Sequence, residues 1–426
     1  MKRLALLLLL GACTEQATAP GVCPDFCPGG AIGVADTILR DVIVRDSAFS
    51  GYLQAHQGGL LPVTDVPGVV ASRAVFRINA MFSRVTTRPT DTTTVPITID
   101  SARLRLNIVR RDTNTANLWI KLYRLPIDID STTTFAQLVP AFTDSIVDSV
   151  SLSALLAAPK ITDTATVRIW GDTIQTDSAG HVLQVAADST LLLFVHLDTA
   201  RARFVVADSG KVAYGVWVSA DSLASIGLGS NESPDRGARV TWFYTYPDSA
   251  AVPLHATAER APFFDSFVFN PPTPALDSNL AVGGAPAVRS LLRVAIPALL
   301  RDSADVVRAT LILVPVGAVP GAAGDSFTVV ARPVLTDLGA KSPLSTNTQF
   351  FGFTRIHLNV ADTVRIEMTS LMRVWALDTS ATTAFVLGQV PEAAGYTQIR
   401  FYSTRTPAFR PSLHVTYVRR YPFGTP

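Results

Sequence analysis

Apolar and polar residues alternate along many short segments of this chain. In the segment from Ala102 to Ile108, the apolar residues Ala102, Leu104, Leu106 and Ile108 fall on one side, and Arg103, Arg105 and Asn107 fall on the other. A period of two indicates a strand with one buried face. Further candidate strands lie at Ile399–Ser403 and Leu413–Tyr417, separated by the turn-forming segment Thr406–Pro411. We therefore predict a succession of strands from about residue 36 to the C-terminal end.

Helical periodicity is scarce in the same sequence. One candidate is Ser151–Ala158, which Pro159 ends, and the other is Ser370–Leu377, with Thr369 or Ser370 as its N-cap. The second would bury Leu371, Val374 and Trp375. Asp outnumbers Glu and Arg outnumbers Lys, while Thr and Val are plentiful, which favours turns and strands over helices. The expected fold class is all-β with one or two short helices.

The strand pattern occurs twice along the chain. Three segments of the first half resemble three of the second in the same order: Arg73–Arg77 and Arg289–Arg293, Ser101–Ile108 and Val307–Leu313, and Arg239–Trp242 and His414–Tyr417. A repeat of this length predicts two tandem domains. We place β-sandwich domain 1 at 36–247 and domain 2 at 262–420, joined by a Pro- and Ala-rich linker at 248–261. The first copy is longer, with insertions near 86–97 and 126–190.

The N-terminal residues carry the features of an export signal. Met1-Lys2-Arg3 is positively charged, Leu4–Leu10 is apolar but too short to span a membrane, and Gly11 and Ala12 precede Cys13. This pattern resembles the bacterial lipobox. The resemblance implies a signal peptide at 1–12, acylation of Cys13 and a flexible tether at 13–35. Thr14 stands where an Asp would signal retention, so the lipobox rule favours the outer membrane. An ordinary secretory signal is the alternative.

Cys23 and Cys27 lie within this tether. In an oxidising compartment a local disulfide is expected, and a metal site is the alternative, although two thiolates need further ligands that the sequence does not cluster. The formal net charge is +2, and signal cleavage removes Lys2 and Arg3, leaving the mature chain near neutral. No basic run follows, which argues against a nucleic-acid partner.

The second copy resembles the DNRLRE family of secreted bacterial modules, relatives of alginate-type carbohydrate-binding modules. The matching segments keep the family's order; they are Leu280–Gly283, Arg289–Arg293, Val307–Leu313, Met368–Trp375, Phe385–Leu387, Ile399–Ser403 and Arg410–Tyr417. The last, with the pattern RPxLxVTY, is the most specific. Val294 stands where the family often has Phe. The resemblance implies two tandem jelly-roll-like β-sandwich domains and association with polysaccharide, without fixing a ligand.

Sugar-binding modules stack aromatic rings on sugars and bind hydroxyl groups with polar side chains. The expected ligand-binding residues are Trp217, Trp242 and Tyr402, with Trp119, Trp170 and Tyr123 as further candidates. Core packing is the alternative for each aromatic residue. Arg103 and Arg105 project from the polar side of one predicted strand and could bind an acidic polysaccharide; surface pairs with Asp are the alternative.

Catalytic chemistry has little support in the sequence. Asp128 with Asp130, and Asp302 with Asp305, could hold calcium or hydrolyse a glycosidic bond, but solvated turn residues are the usual explanation of such pairs. The six histidines are scattered, and no nucleophile elbow or phosphate-binding glycine loop occurs. We therefore expect no enzyme activity and no cofactor, with structural calcium left open.

Three functional hypotheses follow. The first is a non-catalytic cell-envelope lipoprotein that is anchored to the membrane by its acyl group and binds polysaccharide. The second is a structural or adhesive surface protein that binds other surface proteins. The third is a glycoside hydrolase or polysaccharide lyase.

Overall fold

The computed structural model describes residues 34–87, 92–112, 115–161, 172–186, 190–198, 210–248, 251–322 and 325–420. Its strands are β1 Val34–Leu39, β2 Ile43–Ser50, β3 Leu60–Val66, β4 Val70–Ile78, β5 Arg84–Thr86, β6 Thr94–Pro96, β7 Thr98–Arg111, β8 Trp119–Leu125, β9 Ile146–Ser151, β10 Thr173–Thr176, β11 Val182–Val185, β12 Leu191–Asp198, β13 Val212–Ser219, β14 Ala224–Gly229, β15 Arg239–Pro247, β16 Pro253–Arg260, β17 Pro262–Asn270, β18 Leu280–Gly283, β19 Val288–Val294, β20 Ala304–Leu313, β21 Ser326–Pro333, β22 Gly352–His357, β23 Val364–Glu367, β24 Ala384–Val390, β25 Gln398–Phe401 and β26 Ser412–Arg419.

The helices are short and few beside these strands. They are α1 Phe135–Leu138, α2 Ala141–Asp144, α3 Leu152–Ala157, α4 Ala298–Asp302 and α5 Thr369–Leu377, with 3-10 turns at Ala55–Gln57, Gly339–Lys341 and Thr348–Phe350. The all-β prediction is confirmed, and α3 and α5 lie where helices were predicted. Met368 is the N-cap of α5, while the Thr369 hydroxyl instead accepts a hydrogen bond from the backbone of Ala309. No helix in the described residues is long and apolar enough to cross a membrane.

The first sandwich comprises β3, β4 and β7–β17. One layer has the order β10-β11-β12-β7-β15-β16, and the other has the order β14-β3-β4-β13-β8-β9 with β17 beside β4. Strand β14 pairs with both β3 and β7 and so joins the layers at one edge. Inward-facing side chains of both layers form the core, which includes the fully buried Phe76, Leu104 and Trp242.

The second sandwich comprises β18–β26 together with β1 and β2. Its sheets have the orders β1-β26-β20-β23 and β22-β21-β24-β19-β18-β25, and β2 lies beside β19. Helix α5 closes the core, where Trp375 packs with Phe385 at a ring-centroid distance of 6.3 Å. Trp375 is 2% exposed, which confirms it as a core residue.

Nine strands of each sandwich occur in the same chain order, and their pairings correspond except that of β14 with β7, which a single bridge between Pro315 and Phe401 replaces in the second sandwich. The equivalent strands are β3 and β18, β4 and β19, β7 and β20, β8 and β21, β9 and β22, β12 and β23, β13 and β24, β14 and β25, and β15 and β26. The repeated segments found in the sequence lie on three of these pairs: β4 and β19, β7 and β20, and β15 and β26.

The division between the two units differs from the predicted boundaries. Residues 36–50 were assigned to domain 1, but β1 and β2 pair with β26 and β19 of the second sandwich. Residues 248–261 were predicted as a linker, but Pro253–Arg260 forms β16 on the edge of the first sandwich. Strand β17, which was placed in domain 2, pairs with β4 of the first. Local sequence predicted strands at β7, β25 and β26 but missed β16, and the partner of each strand depends on distant residues.

Candidate functional site

One outer sheet face of the first sandwich carries arginines among aromatic rings. It is formed by β12, β7, β15 and β16, whose inward residues, such as Leu104 and Trp242, are buried in the core. The alternate residues point outward. We call this surface the arginine–aromatic face, and its members are Ser101, Arg103, Arg105, Phe194, His196, Asp198, Arg239, Thr241, Phe243, Thr245, His255, Thr257 and Glu259.

Strand register sets the order of these side chains. Arg103 lies opposite His196 on β12 and Thr241 on β15, while Arg105 lies opposite Phe194 and Arg239. Directly opposite residues of antiparallel strands share a face, with Cβ atoms roughly 5 Å apart. The two predicted arginines are therefore neighbours of groups that come from two distant parts of the chain.

Arg103 lies between two phenyl rings. Its guanidinium carbon is 5.1 Å from the ring centroid of Phe194 and 5.9 Å from that of Phe243. Such contacts orient a cation without neutralising its charge. The Arg103 side chain is exposed, so its remaining donors face solvent.

Arg105 adds a second positive charge beside Arg103. Its Nε is buried without a hydrogen-bond partner. Arg239 opposite it lies 3.8 Å from Glu259, but within the described ranges no carboxylate pairs with Arg103 or Arg105. The face therefore presents two guanidinium groups that have no ion pair among the described residues, with the carboxylates of Asp198 and Glu259 on the same face.

Hydroxyl and imidazole groups line the other end of this face. The Thr245 hydroxyl donates to Asp100 at 2.7 Å and lies 2.9 Å from Nδ1 of His255. The imidazole of His255 is 81% exposed. The arrangement can bind an anion at the arginines, contact apolar ring faces at the phenyl groups, and exchange hydrogen bonds with hydroxyl groups beyond them.

Of the predicted aromatic candidates, Trp242 is wrongly assigned. Its side chain is 0% exposed, because Val240, Trp242 and Tyr244 form the inward set of β15. The outward set contains Phe243, which the sequence reasoning missed. The signal was available: Thr241 and Thr245 flank Phe243 at a spacing of two and mark the solvent side.

Trp217 and Tyr402 lie away from the arginine–aromatic face. Trp217 is half-buried on β13 and donates to Asp65 at 3.0 Å, and both Arg73 and Lys121 lie 4.9 Å from its ring centroid. Tyr402, on the second sandwich, stacks on Phe409 with ring centroids 4.9 Å apart. Both rings are therefore already in contact with other side chains of the protein. Trp119 is 40% exposed and Tyr123 is 4% exposed.

The lipid and disulfide candidates Cys13, Cys23 and Cys27 lie outside the described residues, as does Trp170. Among the carboxylate pairs, Asp130 accepts hydrogen bonds from Thr132, which lower its pKa, as expected of a turn residue. The described part of the chain contains no group of three or more His, Cys, Asp or Glu side chains placed to hold a metal ion.

Most charged groups on the corresponding face of the second sandwich pair with one another. It is formed by β1, β26, β20 and β23 and borders a cleft of about 460 Å³. Asp36 lies 2.8 Å from Nε2 of His414 and accepts from Thr416 at 2.8 Å, and these hydrogen bonds lower the pKa of Asp36. Arg308 lies 3.3 Å from Glu367. Arg365 lines the same cleft without an ion pair among the described residues. The two equivalent faces therefore differ in that the first places two neighbouring unpaired arginines beside phenyl rings, whereas the second combines one unpaired arginine with paired charges.

Comparison with protein-family models and with curated proteins finds no match to this chain. The resemblance to DNRLRE modules and to the lipobox stays a prediction.

Proposed function

We propose that this chain is a non-catalytic cell-envelope lipoprotein that binds acidic polysaccharide through the arginine–aromatic face. The observation that carries the proposal is the pair of guanidinium groups of Arg103 and Arg105, which form no ion pair within the described ranges and lie beside Phe194 and Phe243 on an open sheet. A uronic-acid polymer offers a carboxylate on each sugar for the arginines and an apolar ring face for the phenyl groups. Because the face is open at its ends, a polysaccharide longer than the face can lie across it.

The anchoring part of this proposal rests on the signal-like N-terminal residues. Acylation of Cys13 would attach the protein to the cell envelope, with the outer membrane as the expected location. Each buried methylene of an acyl chain contributes roughly 0.8 kcal/mol to that attachment. Palmitate labelling of expressing cells, compared between the natural chain and Cys13→Ala, tests it independently of any glycan.

The binding test compares polygalacturonate and alginate with neutral dextran. For this test the chain is produced without residues 1–13, which removes the predicted signal peptide and the acylation site, so that it stays in solution. We expect saturable binding to the acidic polymers that weakens with added salt. Arg103→Ala and Arg105→Ala should each weaken binding about tenfold, since a charged hydrogen bond contributes ~1.5 kcal/mol.

A matched control comes from the second sandwich. Arg308 lies on the strand equivalent to β7, is exposed and pairs with Glu367, so Arg308→Ala should leave polysaccharide binding unchanged. Equal losses in Arg103→Ala and Arg308→Ala would indicate nonspecific charge attraction. Absence of binding in a folded sample would overturn the proposal and favour a structural or adhesive role with protein partners.

A further inference from the structure

A cleft lies at one end of the sheet that contains β17, β4, β13 and β8, which are neighbours in that order. Its volume is about 510 Å³, within the range of roughly 300–1,000 Å³ that is typical of small-ligand sites. Arg77, which lines the cleft, alternates along β4 with the core residues Phe76 and Ile78 and so points outward. The cleft and the arginine–aromatic face therefore lie on opposite sides of the first sandwich.

A β-bulge places an exposed phenyl ring at this cleft. On β17, Pro262 lies opposite Ile78 of β4 and Phe264 lies opposite Arg77, so Phe263 between them has no partner on β4. An unpaired extra residue of this kind redirects its own side chain and bends the strand. Phe263 is 69% exposed and lines the cleft. The ring is therefore available to stack on a ligand.

Arg77 is held beside this ring by two contacts. Its guanidinium carbon is 4.8 Å from the ring centroid of Phe263, and its Nη1 donates to the backbone carbonyl of Ile127 at 3.2 Å. These contacts orient the guanidinium without neutralising its charge. Arg77 forms no ion pair with any carboxylate that the structure describes. Its remaining N–H groups can therefore bind an anion.

The other polar groups of the cleft leave it with a net positive charge. Lys211 and Asp128 both line the cleft, and both are exposed. Neither side chain has an ion pair within the described ranges of the chain. The amide nitrogen of Asn79 donates to the carbonyl of Ala261 at 3.1 Å, which leaves the amide oxygen free to accept from a ligand. Two cations thus outweigh one carboxylate beside an exposed ring.

This combination of groups fits an acidic sugar. The carboxylate of such a sugar can accept charge-assisted hydrogen bonds from Arg77 and Lys211. The apolar face of its ring can stack on Phe263, and a hydroxyl group can donate to Asn79. A neutral sugar would leave both cations without a partner, and a small inorganic anion would leave the phenyl ring uncovered.

We propose that this cleft is a second ligand site, which binds a single uronic acid or the end of an acidic polysaccharide. Its concave shape suits a small ligand, whereas the arginine–aromatic face is open and suits the middle of a long chain. The class of ligand rests on the proposed function, but the residues are different and lie on the other sheet. The two sites can therefore be tested separately.

The test measures the binding of galacturonate and of its neutral analogue galactose by calorimetry. The protein is the chain without residues 1–13 that carries both Arg103→Ala and Arg105→Ala, so that the arginine–aromatic face does not contribute. We expect saturable binding of one galacturonate per chain and no binding of galactose. Lys211→Ala should weaken galacturonate binding about tenfold, because it removes one charged hydrogen bond. Asp128→Asn should strengthen it, because the natural carboxylate repels that of the ligand.

Two further variants separate this site from general attraction of anions. Lys341, on the second sandwich, is also exposed, so Lys341→Ala is the matched control and should leave galacturonate binding unchanged. Phe263→Ala should weaken the binding of galacturonate but not that of acetate, which has no ring to stack. Equal losses in Lys211→Ala and Lys341→Ala, or acetate bound as tightly as galacturonate, would overturn the proposal.

The outcome also distinguishes this site from the arginine–aromatic face. Polygalacturonate binding that depends on Arg103, with no galacturonate bound by the folded double variant, would overturn the second site alone. Galacturonate binding that depends on Lys211, together with polymer binding that does not depend on Arg103, would support the cleft and overturn the arginine–aromatic face instead.

Discussion

Asp265 has a buried carboxyl group, although burial disfavours its ionised form. It lies on β17 opposite Phe76, is 4% exposed, and accepts one hydrogen bond, from the backbone nitrogen of Asn231 at 2.7 Å. Burial raises its pKa to about 6, because one donor replaces only part of the water that an ionised carboxylate would hold.

This pKa makes stability depend on pH in a definite direction. Between about pH 4 and pH 6 the folded state binds more protons than the unfolded state, so the free energy of unfolding falls as pH rises, by ~3 kcal/mol in all. Asp265→Asn should remove this fall and be more stable than the natural chain at pH 7. Urea unfolding at pH 4.5 and pH 7 measures both. Asp337, whose pKa is lowered by its bond from Arg293, is the control: Asp337→Asn should lose stability above pH 4 relative to the natural chain.

Single residues also show how far sequence alone can lead to the candidate site. Arg103 and Arg105 could be assigned to a solvent face, because their neighbours Leu104 and Leu106 are plainly apolar. On β15 both sets of alternating residues contain aromatic rings, so apolar alternation alone leaves open which face of the strand Trp242 is on. Phe194 could not be assigned, because its place beside Arg105 follows from the pairing of β12 with β7, and no local pattern encodes that register.

At the scale of elements, one histidine connects the β10–β11 hairpin to strand β9. His181 is 2% exposed, with Nδ1 2.7 Å from Asp177 and Nε2 3.1 Å from Asp148. The hydrogen bond to Asp148, opposed by burial and aided by Asp177, raises the pKa of His181. The protonated ring thus joins the hairpin to β9, which carries Asp148.

Because the pKa of His181 is raised in the folded state, its contribution to the stability of the hairpin is complete below the unfolded pKa of roughly 6.5. That contribution is lost as pH rises through the folded pKa. Amide hydrogen exchange in Val182–Val185, corrected for intrinsic rates, should therefore be slower at pH 6 than at pH 9. His181→Gln should abolish the difference. If the variant retained the full difference, another group would have to control the hairpin. Amides of β24, in the second sandwich, serve as the internal reference.

At the scale of the whole molecule, the second sandwich is completed by β1 and β2, which precede the first sandwich in the chain. Strands such as β7, β25 and β26 and the two longer helices follow from local patterns of apolar residues, and all-β structure follows from them. Local patterns do not predict that β1 and β2 belong to the second sandwich, because both sandwiches present equivalent strands with which they could pair. Which sandwich they join depends on contacts such as that of Asp46 with Thr404.

Removal of residues 1–50 should expose the core of the second sandwich. We expect the shortened chain to lose ordered packing around Trp375, while the core around Trp242 is kept. The loss should appear as a red-shifted component of the tryptophan fluorescence and as rapid proteolysis within residues 280–420. Removal of residues 1–33 alone is the control and should leave both cores folded. An intact second sandwich in the shorter chain would show that β1 and β2 are dispensable.

The position of β1 also determines how the molecule carries mechanical load. With the proposed anchor at Cys13, a pull on polysaccharide bound to the first sandwich passes through residues 51–59 into β2 and β1 before it reaches the membrane. The backbone ladders of β1 with β26 and of β2 with β19 lie on the path of that tension. Under the proposed function, these two strands would thus be the part of the fold that bears the load between the cell envelope and the bound polysaccharide.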